Sequence, residues 1–171
     1  MCGRFNLIAD AETLAEHFAL PAPPPAIRPR YNIAPTQSIS VVALQRDRVT
    51  RGLAQIPWGI VPEWADGPAR APRVFNARAE SVAFKFGRCL RERRVLIPAS
   101  GFYEWRVVGK KKAARLFAVA GGEPFAFAGL WDVWGEGSPG KIVAACLVTT
   151  KPNTLVAEVH DRMPVILPRE H

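Results

Sequence analysis

Apolar and polar positions along the chain change period after about twenty residues. Residues 11–20, AETLAEHFAL, place Leu14, Ala15 and Phe18 on one side of a helical wheel, with Asp10 positioned to cap the first turn. A short amphipathic helix is expected there. The stretch PAPPPAIRPR, 21–30, reads as a loop, because its prolines withdraw the backbone donors that a helix or a central strand needs. Beyond it, short apolar or alternating runs predict strands at 38–45, 50–58, 95–99, 101–108, 115–121, 124–134 and 141–150, separated by Gly, Pro or charged turns. Lys110 to Lys112, following Gly109, read as the solvated tip of a hairpin. The expected fold is α+β: a mainly antiparallel, curved or barrel-like sheet with a few short helices.

Length and composition narrow the class. The 171 residues suit one domain, and 49% hydrophobic with 22% charged residues is an ordinary globular balance. No run approaches the roughly 20 apolar residues of a membrane helix, and no basic-then-apolar leader opens the chain, so a cytoplasmic location and no membrane partner are expected. Three cysteines without CxxC spacing indicate neither a disulfide framework nor a structural zinc site, and Cys89 and Cys146 read as core residues. The net charge of +8 is carried largely by arginine, whose planar fork suits phosphate oxygens. A GC-rich coding sequence would give the same excess, so charge alone does not select a partner.

Four stretches can carry chemistry. Cys2 follows the initiator methionine, and removal of Met1 leaves an α-amine beside a thiol, a pair that no internal cysteine offers. The amine can condense with an aldehyde and the thiol can close the ring. Alternatively, the amine can act as base for a thiol that attacks an amide, as in N-terminal-nucleophile hydrolases. In VFNARAES, Asn76, Arg78 and Glu80 alternate as on one face of an extended segment, although a helix starting near Ala79 fits equally well. In PASGFYEW, Tyr103 and Trp105 fall opposite Phe102 and Glu104, which sets a carboxylate in an apolar strand. Such a group is a proton donor or acceptor, or else the partner of an arginine. HDRMPVILP opens with His160, a better candidate for proton transfer than His17 or His171.

The blocks MCGRF, YNIAPTQ (31–37), WGIVPEWA (58–65), NARAE (76–80), PASGFYEW (98–105) and HDRMPVILP (160–168), in this order, resemble the SOS-response-associated peptidase (SRAP) family. The resemblance spans the chain from residue 2 to residue 168 and implies a single SRAP domain over 1–171. It implies a protein of the bacterial cytosol or nucleoid that shields abasic sites in single-stranded DNA during the DNA damage response. There the mature Cys2 amine attacks the ring-opened aldehyde and its thiol closes a thiazolidine, giving a covalent DNA–protein crosslink by lyase-like, Schiff-base chemistry. By the same resemblance, Asn76 orients Cys2 and the opened sugar, Glu104 shuttles protons, and His160 assists ring opening or reversal. Arg4, Arg78 and Arg162 become candidates for phosphate contacts, and Trp58, Trp64 and Trp105 for stacking on bases. No metal and no cofactor are expected, and the expected state is a monomer. The family name also suggests a peptidase activity, for which self-removal of Met1 is the simplest form. A noncovalent nucleic-acid platform is a further alternative. Family members usually continue past the ILP block with another helix and closing strands; if those elements are absent and not merely left out, part of the sheet would lose its cover.

Overall fold

The computed structural model describes residues 2–25 and 27–170; Met1, Ala26 within the proline-rich loop, and His171 lie outside the described residues. In chain order the described residues form β1 (Arg4–Leu7), α1 (Ala11–His17), β2 (Arg30–Ile33), β3 (Ser38–Leu44), β4 (Arg51–Pro57), β5 (Asn76–Arg78), α2 (Ala79–Lys85), α3 (Gly87–Glu92), β6 (Arg94–Ala99), β7 (Gly101–Val108), β8 (Lys111–Phe117), β9 (Phe125–Trp134), β10 (Ile142–Thr150), α4 (Thr154–Ala157), β11 (Met163–Pro164) and β12 (Ile166–Leu167). They make a four-stranded sheet in the order β2-β1-β7-β8 and a larger sheet in the order β11-β10-β9-β6-β3-β4, with β12 on β9 and β5 on β10. Pairing is antiparallel except for β5 on β10. The α+β expectation therefore holds, as two mainly antiparallel sheets that do not close into a barrel.

Local chemistry explains most of these elements. Asp10 caps α1 by accepting from the Thr13 amide at 2.8 Å, while Leu14 and Phe18 are buried beneath the helix. The first half of the hairpin, β7, alternates as read, with Phe102 and Glu104 buried and Tyr103 and Trp105 half-buried. Its second half differs from the expectation. β8 begins at Lys111, because cross-strand bonding from Val108↔Lys111 to Phe102↔Phe117 sets the strand, whatever the polarity of its side chains. Gly101 has a packing reason: a Cβ there would meet the Phe117 carbonyl oxygen at 2.8 Å, where β7 and β8 come together.

The two sheets close on an aromatic core. Phe5 of β1 packs edge-on against Trp58 (5.4 Å between ring centres) and Phe127 of β9 (5.6 Å), and Phe127 also meets Phe102 and Phe125. A second cluster, including Ile60, Val82, Cys89, Leu130 and Cys146, lies under α2 and α3. Both internal cysteines are thus core residues. Since Phe127 is fully buried and joins the two sheets, Phe127→Ala should cost about 3–5 kcal/mol in urea unfolding. A loss below about 1 kcal/mol would mean that the sheets are held elsewhere.

Candidate active site

Three segments far apart in the chain meet at one end of the core. Strand β1 pairs with β7 in the register Arg4↔Tyr103, Phe5↔Phe102, Asn6↔Gly101. Upstream of that register the chain brings the Cys2 thiol close enough to Glu104 to feel its charge. Cys2 is 0% exposed. Its carbonyl oxygen accepts a hydrogen bond of 3.1 Å from Asn76 Nδ2. Asn76 opens β5, which is held by the parallel pairing Leu147↔Asn76 on β10. The other amide atom, Asn76 Oδ1, is buried and has no donor among the described residues. A buried acceptor without a donor costs free energy unless a ligand supplies one.

Glu104 is 3% exposed, and its Oε2 lies 3.9 Å from Nε2 of His160. One ionisable side chain facing this carboxylate is thus a histidine, where an arginine was the ordinary expectation. His160 Nδ1 accepts the Arg162 amide at 3.0 Å and lies 3.0 Å from Asp161 Oδ1. A neutral ring therefore keeps its proton on Nε2, toward Glu104, and a protonated ring can donate from Nδ1 to Asp161. Burial pushes the Glu104 carboxyl above its usual range, toward the neutral acid. Burial, reinforced by the Glu104 charge, pushes the Cys2 thiol up to about 12. Cys2, Asn76, Glu104 and His160 are thereby gathered, as four groups that can position and move protons with very little thiolate present.

The other expected residues divide. Arg78 is exposed at the end of β5 beside Asn76, and Arg4 is half-buried with Nη1 donating to Asn32 Oδ1 at 2.8 Å. Trp64 is 74% exposed on the loop after Val61, and Trp105 is half-buried next to Glu104. Two expectations need correction. Trp58 is 1% exposed and has no face to offer a base; it packs on Phe5, and its Nε1 donates to the Phe75 carbonyl at 2.8 Å, which fixes the residue before Asn76. Arg162 is buried as well, with Nη1 and Nη2 forked onto both Glu80 oxygens at 2.7 and 3.0 Å and Nη2 also on the Thr149 carbonyl at 2.7 Å. Its two terminal nitrogens are thus engaged inside the protein, while Nε is buried with no acceptor among the described residues. Glu80 itself lies in α2 and not on the strand, because the chain is extended only through Arg78. The Arg162 guanidinium holds the Glu80 carboxyl down at about 2. Asp161 and Thr149 were not singled out by sequence, and Glu80 was read only as a neighbour of Asn76, although the acid and arginine beside His160 were a signal that its loop is pinned by charge.

Known proteins resemble this chain along its whole length. The profile of the family described as SOS response associated peptidase (SRAP) matches residues 1–171. The abasic site processing protein YoqW of Bacillus subtilis is 38% identical over 178 residues, covering 100% of this chain and 78% of that protein. The abasic site processing protein YedK of Escherichia coli is 29% identical over 184 residues, covering 99% of this chain and 77% of its own. A crystal structure of a protein from Bacteroides thetaiotaomicron superposes with a TM-score of 0.85 at 22% identity, over 99% of this chain and 78% of that one, a likeness of fold. The chain belongs to the SRAP family.

Within this SRAP chain, burial of Glu104 has a measurable cost. A carboxyl whose folded pKa is raised binds its proton more tightly when folded, so its contribution to stability is lost as pH rises from the ordinary value near 4.5 through the raised folded value. Glu104→Gln removes that titration. The variant should melt higher than the parent at pH 8, with the difference shrinking toward pH 4. A difference independent of pH in thermal melts would show that Glu104 carries no such penalty.

Proposed function

We propose that the chain processes abasic sites in single-stranded DNA through its N-terminal aminothiol, a role consistent with the names of its SRAP relatives. The single observation that carries the reading is the hydrogen bond from Asn76 to the Cys2 carbonyl beside the buried Glu104 carboxyl. It sets residue 2 within reach of a proton donor.

Once Met1 is removed, the Cys2 amine adds to the C1′ aldehyde of the ring-opened sugar, forming a C–N bond and a carbinolamine. Glu104, biased toward the acid form, donates a proton to the departing hydroxyl, so that water leaves and a protonated imine forms, whose N–H proton is then taken up by way of His160, leaving the imine. The Cys2 sulfur then adds to the imine carbon as its proton passes to nitrogen, which closes the five-membered thiazolidine. Atoms and charge balance without an oxidant. Asn76 Oδ1 is placed to accept from the amine or from a sugar hydroxyl, and His160 returns the proton to Glu104. Arg78 and Arg4 are candidates for flanking phosphates, and Trp64 and Trp105 for stacking, worth roughly 1–3 kcal/mol per base. Arg162 acts instead as the clamp that fixes the His160 loop to α2 and β10.

A thiol peptidase would use the same cysteine, but it needs thiolate for the first attack. A thiol held near 12 supplies little of it at neutral pH, which favours the amine as first nucleophile. Self-removal of Met1 remains the limited peptidase role proposed here.

Incubation with a single-stranded oligonucleotide bearing one abasic site should give a slower band on a denaturing gel that requires both the lesion and Cys2. Cys2→Ala should abolish it, and Glu104→Gln should slow its formation by about 100-fold, within the usual range for general acid catalysis. An undiminished band with Cys2→Ala would overturn the reading.

A further inference from the structure

The β7–β8 hairpin carries Arg106, Lys110, Lys111, Lys112 and Arg115, and residues 105–122 contain no acidic side chain. All five cations are exposed, and none makes an ion pair with another described residue. Residues paired across an antiparallel ladder share a face. The register Glu104↔Arg115, Arg106↔Ala113, Val108↔Lys111 therefore puts Arg106, Lys111 and Arg115 on the face that carries Glu104. Lys112, opposite Val107, lies on the other face, and Lys110 sits in the turn. Burial ends along this face between Glu104 and Arg106, so the face that holds the carboxyl inside the core continues outward as a basic track. At about 3.3 Å per residue the track extends roughly 13 Å from Glu104 to the hairpin tip.

Lysines on an edge strand also discourage sheet-to-sheet pairing, and β8 is such an edge. That explanation does not reach Arg106, which lies on β7, a strand bonded on both sides by β1 and β8. From the unpaired charge, its one-sided placement and its continuity with Glu104, we infer that the Arg106–Lys111–Arg115 face of the hairpin holds the phosphate backbone of the DNA strand on one side of the lesion. The inference rests on the function proposed above. It adds a directional grip: one flank of the lesion lies along the hairpin, while the other depends on the remainder of the site.

Two double variants of equal charge change test it: Arg106→Gln with Lys111→Gln on the Glu104 face, and Lys110→Gln with Lys112→Gln off it. Noncovalent affinity is measured across a salt series for single strands with a reduced abasic site, which has no aldehyde and cannot crosslink, placed at either the 5′ or the 3′ end. The first pair should weaken binding roughly 10-fold and lower the log–log salt slope by about 1.4, at about 0.7 per phosphate contact, for one lesion position only. The second pair should stay within about twofold of the parent. Equal losses from both pairs, equal losses for both lesion positions, or no loss from the first pair would each overturn the inference. The parent protein on an aldehyde-bearing strand, run on a denaturing gel, reports on the proposed chemistry separately: absence of a covalent band there defeats the function whatever the hairpin does.

Discussion

The site depends on the confinement of β1 between β2 and β7. Chain termini usually fray, because few contacts repay the entropy of ordering them. Here the residues next to the N-terminus pair on both edges, with Phe5 opposite Ile33 on one side and Phe102 on the other, and the Phe5 ring is locked against Trp58 and Phe127. Residue 2 inherits its position from that burial. The terminal nucleophile proposed for this chain needs such an anchor, since an amine on a frayed end would lose the orientation that speeds a condensation.

Confinement also sets the electrostatics. Drawing Cys2 and Glu104 out of water raises the pKa of both, so the resting site favours neutral acids over charged groups. That is the state the proposed chemistry requires to expel water from a carbinolamine, and the wrong state for a thiolate attack. His160, at the edge of solvent, faces Glu104 with one nitrogen and Asp161 with the other, which connects the buried carboxyl to bulk water. Its loop stays in place because Arg162 is forked onto Glu80 and Thr149. The cost of burying that arginine is offset in part by hydrogen bonds from Nη1 and Nη2 to one carboxylate and one carbonyl.

Much of this was legible in the chain. Alternation located β3, β4, β6, β7, β9 and β10, and the Asp10 cap with Leu14 and Phe18 located α1. Strand β1 was not legible, because RFNL is too short to carry a period and its partners lie about 25 and 100 positions away. Of the candidate residues, Cys2, Asn76, Glu104 and His160 do converge. Trp58 and Arg162 were misread for a common reason: residue type announces what a side chain can bind, but not whether the fold has already supplied the partner. For Trp58 that partner is a carbonyl 17 positions away, and for Arg162 a carboxylate 82 positions away.

The same distinction resolves the charge of the chain. Arg93 is held by Asp132 and Glu136 and lies over the Trp131 ring, and Arg162 is held by Glu80. Those arginines act as internal ties, each neutralised where it stands. The hairpin cations have no such counter-charges among the described residues, so they contribute the field that reaches solvent. A net charge of +8 is therefore not a uniform property of the surface, and its excess is displayed in part on one projecting element next to a buried acid. On the function proposed above, the geometry separates two tasks that pull against each other: proton transfer, which needs a dry site with neutral groups, and attraction of a polyanion, which needs wet, unpaired cations. Placing them at alternate positions of one strand, inside and outside the core, would let both operate on a single bound molecule.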